Sequence, residues 1–330
     1  MPSSSPAAPR LSIGLPVYNG ADYLESAIQS VLNQTFTDFE LILCDNASTD
    51  GTQAICASAA RRDARVRYLR HPHNLGAARN YNSALAAARA PLFRWISHDD
   101  VLAPSCLQAC VDVLDRHPNA VGAYTQTQVI DAAGTPQPTP HWMQRPLQAT
   151  APAAATRFRN FLSTYCWEGS PGPLFGVVRT EVLRATMQHG DFPSADLILI
   201  GELALWGPMR EIPEPLFMYR RHSGNSTSAT NSQIGALWSW FDPQQGTGPA
   251  WLEWRWLAEL YRAIGRAPLT PRERAACLLA LLRHYALRHG LQYLKEIVYV
   301  ATARLGLHRT TPPPRVLGLQ AMYPYFWERP

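Results

Sequence analysis

Short apolar segments alternate with amphipathic ones through the first hundred residues, and this alternation limits the possible folds more than any other feature. Leu11 to Tyr18, Phe39 to Cys44, Val66 to Leu69 and Leu92 to Ile96 read as buried strands. Between them, Ala21 to Gln34, Gly51 to Arg62 and Ala77 to Ala90 carry apolar residues at helical spacing. Strand–helix alternation of this kind predicts an α/β fold with a doubly wound, mostly parallel sheet flanked by helices. Such sheets bind ligands beyond the carboxyl ends of their strands, so the loops there are where chemistry is expected.

Three of those loops are polar. The first strand runs into Pro16-Val17-Tyr18-Asn19-Gly20, the second into Asp45-Asn46-Ala47-Ser48-Thr49-Asp50-Gly51, and the fourth into Ser97-His98-Asp99-Asp100. Adjacent carboxylates at a strand end are hard oxygen ligands suited to Mg²⁺ or Mn²⁺ holding a diphosphate. They equally suit a turn or the start of the helical pattern near Ala103. Asp45 can accept a hydrogen bond from the imide N–H of a uracil, whereas Asp50 is assigned to helix capping.

The chain of 330 residues is 46% hydrophobic and 17% charged, enough apolar material for one large domain with or without an appendage. Met1 to Arg10, rich in Pro, Ser and Ala, reads as a disordered leader and not a signal peptide, so a cytoplasmic location is expected, with contact at the inner face of the membrane left open. Six cysteines without a CxxC pair or zinc-like spacing are read as reduced and buried. The net charge of +5 comes almost entirely from arginine, Lys295 being the sole lysine. A phosphate-loop or Schiff-base lysine is therefore not expected. Scattered arginines suit anionic small ligands or a membrane surface, and no nucleic-acid partner is predicted.

Further along, Ala120 to Asp131 reads as a strand, and Ser194-Ala195-Asp196-Leu197 introduces a helix from Ile198 to Leu205 with Asp196 placed to cap it. Ile212 to His222 reads as another strand, ending in Arg220-Arg221-His222. Past Ser226 the chain turns tryptophan-rich, with helical patterns over Leu278 to Leu287 and Leu291 to Leu305, then Pro312-Pro313-Pro314. No window there is long and apolar enough to span a bilayer. Those helices are expected to pack internally, to lie on a membrane, to cover the acceptor cleft, or to make a homodimer.

Pro16-Val17-Tyr18-Asn19, Asp45-Asn46-Ala47-Ser48-Thr49-Asp50-Gly51-Thr52, Asn74-Leu75-Gly76-Ala77-Ala78-Arg79-Asn80 and Ser97-His98-Asp99-Asp100 resemble, in order, the signatures of family 2 glycosyltransferases with the GT-A fold. The resemblance implies a catalytic domain over residues 11–225, with a nucleotide-sugar-binding half (11–131) and an acceptor half (132–225), followed by a helical region (226–330). It implies that Pro16, Val17, Tyr18, Asn19, Asp45, Arg79, Asp99 and Arg220 contact the nucleotide-sugar. It further implies that Asp99, Asp100 and His222 hold Mg²⁺ or Mn²⁺ and that Asp196 is the catalytic base, with Asp191, Glu168 and Glu202 as lesser candidates. One departure is Ser97, where the family often carries an additional aspartate.

The activity implied is inverting, metal-dependent transfer of a sugar, from a UDP-sugar by preference, to a hydroxyl on a carbohydrate, lipid-linked or other acceptor. Two rivals are weighed. A Rossmann oxidoreductase would need Gly-x-Gly-x-x-Gly after the first strand, and Gly14-Leu15-Pro16-Val17-Tyr18-Asn19 lacks it. A non-catalytic nucleotide- or carbohydrate-binding module would keep the fold without turnover.

Overall fold

A computed structural model describes residues 8–164, 166, 169–225, 240–241 and 251–304. The leader up to Ala7, Glu168, Trp238 and Pro312-Pro313-Pro314 lie outside the described residues.

Eight strands among the described residues form a single sheet in the order β3-β2-β1-β4-β7-β6-β8-β5. Strands β1 (Leu11–Val17), β2 (Phe39–Asp45), β3 (Val66–Arg70) and β4 (Leu92–Trp95) are parallel to one another, as the alternation predicts. The short β7 (Val177–Arg179) runs antiparallel between β4 and β6 (Gly122–Ile130). Strand β8 (Met209–Arg220) then pairs parallel with β6 and antiparallel with β5 (Val101–Leu102). Every residue of β1 and β2 is buried, in keeping with central parallel strands covered on both faces.

Helices α1 (Ala21–Leu32), α2 (Thr52–Arg62), α3 (Ala77–Ala86) and α4 (Cys106–Arg116) occupy the expected places with shorter ends. Helix α3 stops at Ala86, not Ala90, because side chains from the sheet take over its backbone donors. The N–H of Arg89 bonds Glu40 at 2.9 Å and Ser12 Oγ at 3.1 Å, and that of Ala90 bonds Ser12 Oγ at 3.0 Å. Helix α4 begins at Cys106 and not near Ala103, because Val101 and Leu102 are drawn into β5 and the Ala103 N–H bonds the Leu216 carbonyl. Gly14 lets α3 approach β1 closely: a Cβ there would stand 2.7 Å from that of Ala84 and 2.8 Å from the Phe93 ring.

On the second half of the sheet lie α5 (Ala154–Ser163), α6 (Thr180–Ala185) and α7 (Ala195–Trp206). The C-terminal helices α8 (Leu252–Arg266) and α9 (Pro271–Leu281) pack directly on α7 and α5. Helix α9 starts earlier than its apolar pattern suggests, because Thr270 and Glu273 form a capping box with Pro271 at the first helical position. A π turn over Leu282–Ala286 leads on to α10 (Gly290–Arg304). None of the described helices is long and apolar enough to cross a membrane.

The join between the C-terminal helices and α7 is partly ionic. Glu202, fully buried on α7, accepts two hydrogen bonds from Arg266 of α8, at 2.7 and 3.0 Å, and one from the Met187 N–H at 3.0 Å. Removing the arginine would leave a carboxylate inside apolar surroundings. Arg266→Ala is expected to lower unfolding stability by about 3 kcal/mol, read from the urea midpoint. A loss below about 0.5 kcal/mol would mean that the pair behaves as an exposed one.

Candidate active site

The loops after β1 and β2 are stitched together where the strands end. Asn19, at φ +50°, donates its N–H to Ser48 Oγ (3.0 Å) and accepts the Thr49 N–H on its side chain (2.8 Å). Asp50 accepts the N–H groups of Ala21 (3.1 Å) and Thr52 (3.0 Å), so one carboxylate serves the N-termini of α1 and α2. That is the capping role expected of it. From α3, Asn80 donates to the Cys44 carbonyl at 3.0 Å, locking the helix onto the end of β2.

These contacts divide the nucleotide-side candidates. Pro16 and Val17 are buried backbone of β1, whereas Tyr18, 45% exposed, and Asn19 face outward. Arg79 is exposed on the first turn of α3. Asp45 is fully buried and accepts the Ser48 N–H (2.8 Å), the Tyr68 hydroxyl (2.8 Å) and Arg70 Nε (3.0 Å). About four acceptor positions exist on a carboxylate, so little capacity is left for a base.

The fourth strand end carries the densest polar cluster. Asp99 Oδ2 accepts Asn225 Nδ2 at 3.0 Å and lies 3.1 Å from His222 Nε2, while Ser97 Oγ donates to Oδ1. Ser97 thus supports Asp99 from the position where the family often has a carboxylate. Burial pushes the Asp99 carboxyl up, but the nearby His98 and the bonds from Ser97 and His222 outweigh it and hold it below the usual range. Asp100 is driven well above its usual range by burial and by Asp99. Its Oδ1 accepts the Arg220 N–H at 2.9 Å.

Arg220 does not reach the surface, and its expected diphosphate contact gives way to a supporting role. Its guanidinium donates to the carbonyls of Asp99 (2.7 Å), Ala132 (3.0 Å) and Asp131 (3.2 Å) and to Ser26 Oγ (3.3 Å), and it lies 4.9 Å from the Tyr23 ring centre. Tyr23 in turn packs on His222, 4.4 Å between ring centres. Arg220 therefore ties the loop carrying Asp99 and Asp100 to β8 and α1. Arg221 is the exposed member of the pair.

Asp196 occupies the second position of α7, behind Ser194, whose φ of +63° turns the chain into the helix. Burial raises its carboxyl above the usual value, against backbone hydrogen bonds from Leu197 and its own N–H. Tyr81 of α3 lies within electrostatic reach of this carboxylate and of Asp99 and Asp100. Its hydroxyl bonds Ser97, and it is pushed up by burial and by the charges of Asp99, Asp100 and Asp196 together. His189, 4.7 Å from the Tyr81 ring, is kept neutral by burial, down at about 4.

The lesser base candidates have other partners. Glu202 is held by Arg266, and Asp191 forms an ion pair with Arg255 at 2.5 Å. Trp256, fully buried, donates its Nε1 to the Pro193 carbonyl at 2.9 Å. Helix α8 thereby grips the segment around Asp196 at three points. Tyr81, Tyr23 and Asn225 were not singled out from sequence. Only Asn225 carries a local signal there, standing three residues beyond His222.

Residues 12–167 match the profile of glycosyl transferase family 2. The chain is similar to that family over just under half of its length. A Haemophilus influenzae relative described as a glycosyltransferase is 25% identical over 233 residues, covering 68% of this chain and 69% of its own. Other curated relatives, 31–37% identical over 106–129 residues, are spanned over only 14–38% of their lengths. Among solved structures, residues 1–349 of Staphylococcus aureus TarS in complex with UDP-GlcNAc superpose with a TM-score of 0.59 at 16% identity, over 89% of this chain and 81% of that one. A mannosyltransferase of Pyrobaculum calidifontis, in complex with GDP-Man and Mn²⁺, gives 0.50 at 16% identity, over 97% and 86%. These likenesses establish the GT-A fold, with its curled sheet and helical C-terminal region, for this chain.

Proposed function

We propose that this chain is a family 2 glycosyltransferase that moves a sugar from a UDP-sugar to an acceptor hydroxyl with inversion at the anomeric carbon. The observation that carries the reading is the placing of two unlike acidic groups around Tyr81. Asp99, held low, is paired with His222 and Asn225, and Asp196, held high, accepts backbone N–H groups at a helix start. Environments that push two carboxyls apart are how one site obtains both a charge-holding group and a proton acceptor.

Asp99 Oδ2 and His222 Nε2 fit a divalent cation. Their 3.1 Å spacing is that of adjacent ligands around an ion with bonds of about 2.1 Å. Among the described residues no cluster of three or more His, Cys, Asp and Glu could hold a metal by itself. Two protein donors with the rest from phosphate and water is how Mg²⁺ is commonly held. The chemistry that a bound Mg²⁺ or Mn²⁺ supplies here is the offset of diphosphate charge. Asp100, turned to the Arg220 N–H, is assigned to shaping this loop together with Arg220.

In the reaction, Asp196 takes the proton of the acceptor hydroxyl as its oxygen forms the new bond to the anomeric carbon. The bond from that carbon to the diphosphate breaks, and its electron pair leaves with the nucleotide. No covalent enzyme intermediate is needed. Tyr18 and Asn19 are assigned to the nucleoside, with Pro16, Val17 and the already hydrogen-bonded Asp45 behind them, and Arg79 and Arg221 to its phosphates. Residues 11–131 serve the donor and 132–225 the acceptor, in synthesis of a surface polysaccharide, glycolipid or other glycoconjugate. All six cysteines are free and buried, which suits a reducing, cytoplasmic setting.

The decisive test is a panel of UDP- and GDP-sugars with Mn²⁺, read by nucleotide release with and without candidate acceptors. Turnover of a UDP-sugar is expected. UDP binding with no release from any donor would favour the non-catalytic reading.

A further inference from the structure

We propose that the outer face of the α9–α10 segment docks on an anionic lipid bilayer. This inference is independent of the donor and acceptor assignments. Leu279, Leu282, Leu287, Leu291, Leu294 and Val298 are all exposed, with Leu287, Leu291 and Val298 at 69%, 72% and 61%. Their spacing is 3, 5, 4, 3 and 4 residues. The step of five falls on the π turn, where the Leu287 N–H bonds the Leu282 carbonyl at 3.0 Å. An ordinary helix would rotate Leu287 away from Leu282. The extra residue of the π turn keeps the stripe in line.

The inward face of the same segment is already used. Cys277, Leu281, Tyr285, His289 and Tyr293 repeat every four residues and are buried against the rest of the protein. The outer stripe is thus a second apolar face, of the kind that monomeric soluble proteins rarely expose.

Charge decides what covers it. Arg283, Arg288 and Lys295, each exposed, run beside the apolar stripe, one position after Leu282, Leu287 and Leu294. From Arg274 to Arg304 the sole acidic residue is Glu296, and it turns inward to accept the N–H groups of Glu253 (3.2 Å) and Trp254 (3.3 Å). An apolar stripe bordered by cations, without an exposed acid, fits acyl chains beneath phosphate headgroups. A second copy docked isologously would bring the two cationic rows together. Residues 305–330 carry Arg309, Arg315 and Arg329 against Glu328 alone, and so offer no acidic complement.

The test is sedimentation of the full chain with vesicles of phosphatidylglycerol in phosphatidylcholine, and with phosphatidylcholine alone. Binding to the anionic vesicles only, reversed by high salt, is expected. Combined Leu287→Gln, Leu291→Gln and Leu294→Gln should weaken it on the order of 10²-fold. Arg283→Gln with Lys295→Gln should weaken it about 10-fold and reduce its salt dependence, with helical circular dichroism unchanged in both variants. If the leucine variant loses helicity, the charge variant and the salt response of the unaltered protein still decide. The proposal is overturned if anionic vesicles do not bind the protein. It is equally overturned if light scattering finds a dimer that the leucine substitutions convert to monomer.

Discussion

Replacing Asp196 with asparagine is expected to cut turnover on the order of 10²-fold or more while UDP affinity stays within about twofold. Asparagine keeps the size of the side chain and removes only its capacity to take a proton. The raised carboxyl of Asp196 adds a pH signature. The base works only when ionised, so turnover should fall on the acid side at a higher pH than an ordinary carboxylate would give. The sign for stability is opposite to that of a salt-bridged acid. An acid whose pKa is higher in the folded state binds its proton more tightly there, so its ionisation above that value costs stability. The asparagine variant should therefore melt no lower than the parent at neutral pH, which separates lost chemistry from lost folding. Near-normal turnover in this variant would remove Asp196 from the reaction. Asp191 and Glu202 are poor replacements, since Arg255 and Arg266 already occupy them.

The second large effect concerns Asp99. UDP binding measured by calorimetry should be stronger with Mn²⁺ than with EDTA, because no lysine is placed among the loops to offset the diphosphate. Asp99→Asn should abolish that difference and lower turnover at least about 10²-fold, whereas Asn225→Ala, which removes only a supporting bond, should cost about 10-fold. Equal UDP affinity with and without the cation in the unaltered protein would refute the assignment of Asp99 and His222. A fall in cation dependence for Asn225→Ala with an unchanged melting temperature would show that Asn225 acts through Asp99.

The C-terminal helices have two distinct faces. One reaches the site: Trp256, Arg255 and Arg266 hold the segment from Asp191 to Glu202, so this region positions the proposed base. Trp251, Trp254 and Trp256 do not share one surface. Trp256 is core, while Trp251 and Trp254 are each 40% exposed, and Trp254 packs against Tyr293 at 4.8 Å.

The sequence by itself determined the parallel half of the sheet, because a buried parallel strand must be apolar throughout and a flanking helix must be apolar on one side, and both patterns are local. It also placed Asp99 among the candidates, as one of two carboxylates at a strand end, while His222 and Asp196 entered through the family resemblance. The tertiary structure decided what each polar group does. Arg220 and Arg221 are neighbours of the same chemistry. Strand alternation buries one against four oxygen acceptors and exposes the other, and which one depends on the register of β8 with β6 and β5. Asp99 and Asp100 differ in the same way, one facing His222 and Asn225 and the other the Arg220 backbone. Tyr81 is an ordinary residue on an alanine-rich helix until the close approach of α3 to β1 at Gly14 carries it to Ser97 and within electrostatic reach of three carboxylates. Its role could not be read locally, because those carboxylates come from the loop after β4 and from α7, up to 115 residues away in the chain (196 − 81).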